Sequence, residues 1–308
     1  MQDWKGNHRD VSMIIKPING VPNTKIMLLL NVLNYERISM AKVIPTADAI
    51  LSLAYQMADA AAVETLKWFR NPGLAAENKL DVGFDPVTEA DKVAEQAMRA
   101  VLAIQRPQDS IIGEEAQNHD GTSGLAWVLD PIDGTRGYVS GTTTWGTLIA
   151  LNDGAAPIFG MIDQPYTGER FVGGLGYAFM ERNGLKTPLA TRNTQILSEA
   201  TIFTTYPKVG SEIEAAAFNK VALACKLVRY GMDCYAYALL ASGNIDLVIE
   251  ADLQAYDVQA PIALVRAAGG IATDWSGGNP MNGGRCICAA TPELHEAALE
   301  VLQQVPLE

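Results

Sequence analysis

An apolar run, Leu125-Ala126-Trp127-Val128-Leu129, leads directly into Asp130-Pro131-Ile132-Asp133-Gly134-Thr135. The run reads as a buried strand, so Asp130 emerges where that strand ends. Pro131 fixes φ and removes a backbone donor, which makes the turn between the two aspartates stiff. Gly134 allows close approach to a ligand, and the amides of Gly134 and Thr135 would open the next element, a place that attracts phosphate. Two acids beside a phosphate cradle make electrostatic sense only with a cation between them. A strand with a polar turn would account for either aspartate alone, but not for the whole string.

Three further segments carry acids in comparable settings. In Ile111-Ile112-Gly113-Glu114-Glu115, β-branched residues and a glycine precede paired acids. The intervening Asn118 to Gly124 is rich in turn formers, leaving room for a loop and a return strand, so two neighbouring strand ends could bring Glu114, Asp130 and Asp133 together. Asp257 precedes a helical pattern over Val258–Ala268 and suits an N-cap, a role compatible with ligation. In Asp85-Pro86-Val87-Thr88-Glu89-Ala90-Asp91, Thr88 and Asp91 match a capping box. Capping explains both residues without chemistry, and a chemical role stays open beside it.

Taken together and in this order, the four segments resemble the inositol monophosphatase family of magnesium-dependent, lithium-sensitive phosphomonoesterases. The resemblance runs from about Ala41 to the C-terminus; its one small departure is Tyr256-Asp257 where the family carries Trp-Asp. It implies an αβαβα layered sandwich of mixed α+β and α/β character, in a homodimer. It also implies two or three Mg2+ ions: one on Glu114, Asp130 and the Ile132 carbonyl, a second on Asp130, Asp133 and Asp257, and a third, weaker ion shared by Glu114. Asp91 and Thr135 then orient and deprotonate the attacking water, with Glu114 also part of the catalytic set and Lys79 near the site. Gly134, Thr135 and Asp257 line the substrate.

The chemistry of the residues agrees. An oxygen-only donor set suits magnesium, and clustered carboxylates raise one another's pKa unless an opposite charge relieves them. Two ions can clamp both oxygens of an in-line displacement, without a covalent enzyme intermediate. The only histidines, His8, His119 and His295, pair with no cysteine at ligand spacing, which argues against zinc.

Within the family, Trp145–Leu151, Asp163–Phe171 and Gly231–Tyr237 resemble the histidinol-phosphatase branch more than the inositol branch. Asp233 falls where inositol phosphatases carry a small alanine beside the substrate, and Glu250 where the family contacts the alcohol. Two carboxylates there favour a cationic alcohol, since charge-assisted hydrogen bonds contribute about 1.5–3 kcal/mol each. Asp233 could equally be the N-cap of a helix over Tyr235–Leu240. The expected activity is histidinol-phosphate hydrolysis, with inositol 1-phosphate or another small phosphate ester as alternative substrate. A non-catalytic, partner-binding regulator is the alternative of a different class, and the full ligand set argues against it.

The remaining sequence bounds this reading. The chain has 308 residues, 48% of them hydrophobic, and a net charge of −12, which argues against nucleic acid or anionic membrane as partner. The apolar Ile26–Leu30 is too short to span a bilayer. Four cysteines, Cys225, Cys234, Cys286 and Cys288, imply no disulfide framework and fit a cytoplasmic setting. Residues 1–39 lack periodicity and read as a disordered extension or a misassigned start. Residues 40–183 read as an α+β half bearing the metal motifs, and 184–308 as an α/β half completing the site. A helix is expected over Thr46–Phe69, an antiparallel meander over 146–174, and alternating strands and helices beyond Asn183-Gly184.

Overall fold

The computed structural model describes residues 44–78 and 86–305. The expectations for residues 1–39 and for Lys79 lie outside the described residues.

Helix α1 (Ala47–Trp68) starts at the Thr46 cap, whose hydroxyl accepts from Ala49 N. It buries Ile50, Leu53, Ala54, Met57, Ala58 and Ala61, a stripe at helical spacing. A short antiparallel pair, β1 (Ala76–Asn78) and β2 (Pro86–Thr88), leads into α2 (Glu89–Gln105). Strands β3 (Ser110–Gly113), β4 (Ala126–Asp133), β5 (Gly146–Asn152), β6 (Pro157–Gln164), β7 (Glu169–Gly174), β8 (Tyr177–Arg182) and β9 (Leu185–Pro188) form one sheet in sequence order, with α3 (Thr135–Ser140) between β4 and β5. Only β3 and β4 pair in parallel. A second sheet has the order β11-β10-β12-β14-β13, built from β10 (Thr201–Thr204), β11 (Leu227–Tyr230), β12 (Leu247–Leu253), β13 (Ile271–Thr273) and β14 (Gly284–Ala289). Its helices are α4 (Glu212–Ala224), α5 (Cys234–Ala241), α6 (Ala255–Ala267) and α7 (Pro292–Leu302).

Strand alternation sorts the core into layers. On β4, Trp127 and Leu129 pack with α1 and α2, while Val128 packs with α5 and α6 on the opposite face. On β12, Val248 faces α5 and α6, while Leu247 and Ile249 pack with α4 and α7. The order is therefore helices, seven-stranded sheet, helices, five-stranded sheet, helices: the expected αβαβα sandwich.

Helix α6 lies in the middle layer against the seven-stranded sheet. A Cβ on Gly160 would stand 2.3 Å from the Ala260 carbonyl oxygen, and one on Gly173 would stand 2.5 Å from Leu264 Cα. These two glycines let the helix settle onto the strands, and that seating fixes where its first turn, with Asp257, points.

Three details depart from the sequence reading. Helix α6 begins at Ala255, so Asp257 sits at its third position and not at its N-cap. Strands β8 and β9 were not expected. Asn183 and Gly184, both with positive φ, form the tight turn of the β8–β9 hairpin, so residues 185–188 belong to the first sheet and the change of pattern falls after Pro188. Finally, β4 runs parallel to β3 where a return strand was expected. The parallel arrangement is what places both strands' C-terminal ends, with Glu114 and Asp130, on the same side.

Candidate metal centre and substrate site

Asp130, Asp133 and Asp257 each offer a carboxylate oxygen, all within 4.8 Å of one another. The peptide ladder of β4 breaks between Asp130 and Asp133, which lets both side chains leave the strand toward the same place. The turn is braced from behind: the Thr147 hydroxyl donates to Pro131 O at 2.8 Å, and Ile132 packs with Phe69, Tyr138 and Trp145.

Each acid keeps one oxygen on a backbone N–H. Asp130 Oδ1 accepts from Ile132 N at 3.0 Å, Asp133 Oδ2 from Cys234 N at 2.6 Å, and Asp257 Oδ2 from Gln254 N at 2.6 Å. Asp91 Oδ2 accepts from both the amide and the hydroxyl of Thr88, at 2.8 and 2.6 Å. The capping reading of Asp91 is therefore correct, but it occupies only one oxygen. The other, Oδ1, faces the Thr135 hydroxyl at 3.4 Å. Asp257 repeats the device, as the third-position acid of a capping box with Gln254.

The electrostatics are unfavourable without a cation. Burial pushes the Asp130 carboxyl well above its ordinary range, with Glu114, Asp133 and Asp257 adding to the rise. Asp133 is raised in the same direction by burial and by Asp233 and Asp257. Burial takes Asp91 up to about 6 against the lowering effect of Thr88. Such a set relaxes when positive charge enters, and its donors are all oxygens, the kind hard divalent ions take. The residues fit a metal ion.

Asp233 stands at the N-cap of α5 yet makes no side-chain capping bond. Its φ of 46° is one that side-chain-bearing residues seldom adopt, and it turns the carboxylate toward the Asp130–Thr135 turn. A Cβ on Gly134 would lie 2.9 Å from Asp233 Oδ2, and Gly134 itself has φ 82°, so only glycine suits that position. Burial raises Asp233 to about 6, while Arg136 and a hydrogen bond from Thr144 pull it down. Glu250 is buried, with Oε1 accepting from the amide and hydroxyl of Thr205 and Oε2 from the Thr204 hydroxyl. Burial lifts it to about 7, with Asp233 adding to the rise.

The structure thus gathers Asp130, Asp133 and Asp257, with Glu114 close enough to act on Asp130, sets Asp91 against Thr135, and brings Asp233 to Gly134, with Glu250 within reach of its charge. Sequence reasoning missed the supporting Thr144, Thr204, Thr205, Arg136 and the Cys234 amide. Threonine pairs at a strand end were the available signal for Thr204 and Thr205; the backbone donor carries none. All four cysteines are free thiols, with Cys286 and Cys288 buried side by side on β14. No helix among the described residues is long and apolar enough to cross a membrane.

Residues 46–307 match the inositol monophosphatase family. The bifunctional phosphatase IMPL2 of Arabidopsis thaliana, described as chloroplastic, is 37% identical over 276 residues, covering 83% of this chain and 75% of its own. A histidinol-phosphatase of Streptomyces coelicolor is 34% identical, over 82% of this chain and 97% of that protein. Among solved structures, an inositol monophosphatase from Zymomonas mobilis is 38% identical with a TM-score of 0.74, over 84% of this chain and all of that one (100%). Fold, acidic centre and relatives together define a phosphoric monoester hydrolase. The chain belongs to the inositol monophosphatase family.

Proposed function

We propose that the protein is a magnesium-dependent histidinol-phosphate phosphatase. The observation that carries the choice of ester is Asp233, an acid that forgoes capping its own helix and is held in a costly backbone conformation against the Gly134 turn. With Glu250 nearby, it gives the leaving-group side a negative character that an ammonium or imidazolium would satisfy and a neutral polyol would not. The histidinol-phosphatase named among the relatives supports this choice.

In this reading Glu114, Asp130 and the Ile132 carbonyl hold one Mg2+ and Asp130, Asp133 and Asp257 a second, with Glu114 shared by a third. Bound there, the ions supply Lewis-acid charge to the attacking and leaving oxygens. Gly134 and Thr135 take the phosphate at the start of α3. Thr135 and Asp91 orient the attacking water, and Asp91 Oδ1, the oxygen not used in capping, receives its proton. Glu250, with its oxygens occupied by Thr204 and Thr205, sets the local charge and steadies those hydroxyls. The 40–183 and 184–308 halves meet at this site, in a homodimer of a reducing, cytoplasmic setting.

Hydrolysis of inositol 1-phosphate is the second reading, favoured by the likeness to the Zymomonas mobilis structure. Turnover of the two esters under saturating magnesium separates them. A kcat/KM preference for histidinol phosphate that collapses in Asp233→Ala supports the proposal; preference for the inositol ester by the wild type overturns it.

A further inference from the structure

Helix α2 carries a second buried acid on the face that bears Asp91. Glu95 follows Asp91 by one turn and is 1% exposed. Its carboxylate reaches the segment that leaves β3: Oε2 accepts from Glu115 N at 2.7 Å and Oε1 from Ala116 N at 3.1 Å. Arg99, a further turn along the helix, donates from Nε to Glu95 Oε1 at 2.7 Å and from Nη2 to the Ala116 carbonyl at 3.1 Å. Both oxygens of Glu95 are thus committed to protein donors. The strand end is shaped to receive this pair. A Cβ on Gly113 would stand 2.3 Å from Glu95 Oε1 and 2.6 Å from Arg99 Nη2, and neither group can give way without breaking the bonds just named.

Glu114 lies between these fixed points. It sits one residue past Gly113, whose pairing with Leu129 is the last of the β3–β4 ladder, so the sheet itself does not hold it. It acts on Asp130 by its charge and by a hydrogen bond between the two side chains. We infer that Glu95, braced by Arg99, is the positioning residue for Glu114: it clamps the backbone on either side, aims that carboxylate at Asp130, and so sets how tightly the ion they share is bound. The inference rests on the proposed ligand role of Glu114. Groups that orient a metal's ligands govern roughly 10–100-fold of its affinity.

The test is manganese(II) binding to the full chain without substrate, read from the loss of the free-ion EPR signal, in a double-mutant cycle of Glu95→Gln and Glu114→Gln. The glutamine at 95 sets an amide NH2 where a backbone donor needs an acceptor. Glu95→Gln should weaken the tightest affected ion roughly 10–100-fold. In the Glu114→Gln background the same change should weaken binding no more than about twofold, because Glu95 acts through Glu114. Wild-type affinity in Glu95→Gln, or losses that multiply in the double variant, overturns the inference and leaves Glu95 as a stability contact. If Glu114→Gln binds manganese as the wild type does, the ligand reading of Glu114 fails and takes the inference with it; the single variants tell these failures apart. Arg99→Gln, at a partly exposed position, carries the same cycle if Glu95→Gln does not fold. A weakening there that disappears in the Glu114→Gln background supports the inference, and unchanged affinity refutes it.

Discussion

Replacing Glu250 by glutamine removes a titrating charge from a buried position while keeping its shape. The side-chain carbonyl can still accept from Thr205, and the Thr204 hydroxyl can turn to accept the new amide. In the folded protein burial lifts Glu250 from its ordinary 4.5 to about 7. An acid raised on folding binds its proton more tightly in the native than in the unfolded state. Its contribution is therefore favourable at low pH and is lost as pH climbs from the unfolded pKa through the folded one. The whole shift corresponds to about 3 kcal/mol, nearly all of it spent between about pH 5 and about pH 8. Urea unfolding of chelator-treated wild type and Glu250→Gln across that range reads the difference. The glutamine variant should gain on wild type as pH rises, reaching about 2–3 kcal/mol by about pH 8, and level off beyond. A pH-independent difference, or a wild type that gains on the variant, would refute the assignment of Glu250 as a strained, buried acid.

Other substitutions probe the remaining parts. Asp91→Asn should lower kcat by roughly 10²–10⁴-fold with KM little changed, because the amide cannot take a proton from water; a loss of thermal stability without loss of kcat would leave Asp91 as a cap alone. Gly160→Ala forces a methyl to within 2.3 Å of the Ala260 carbonyl. It should cost about 1–3 kcal/mol in denaturant melts and raise the magnesium concentration needed for half-maximal activity, since α6 carries Asp257.

The layers were legible because α1 carries an apolar stripe at helical spacing, because β4, β5, β6 and α5 are apolar runs set off by turn residues, and because Thr88 announces its helix as a cap. Strands β8 and β9 were not: β9 is the exposed edge of the sheet, and β8 beside it is partly exposed and mixes charge with aromatics, so no alternation stood out. The start of α6 was misplaced for a similar reason: Gln254 is an uncommon cap, and Asp257 carried the stronger signal. At the site, side chains with a charged motif could be named from sequence. Parallel pairing of β3 with β4, the positive φ of Asp233 and the Cys234 amide on Asp133 are products of tertiary packing, and no local pattern encodes them.

The central claim is that Asp130, Asp133 and Asp257 converge to hold divalent ions. Diffraction from crystals grown with manganese(II), recorded at its absorption edge, tests it without reference to substrate. Anomalous peaks bonded to carboxylate oxygens of these three aspartates, with Glu114 at one of them, are the predicted result. Ordered side chains around a site with no anomalous signal, at manganese concentrations that support turnover, would contradict it.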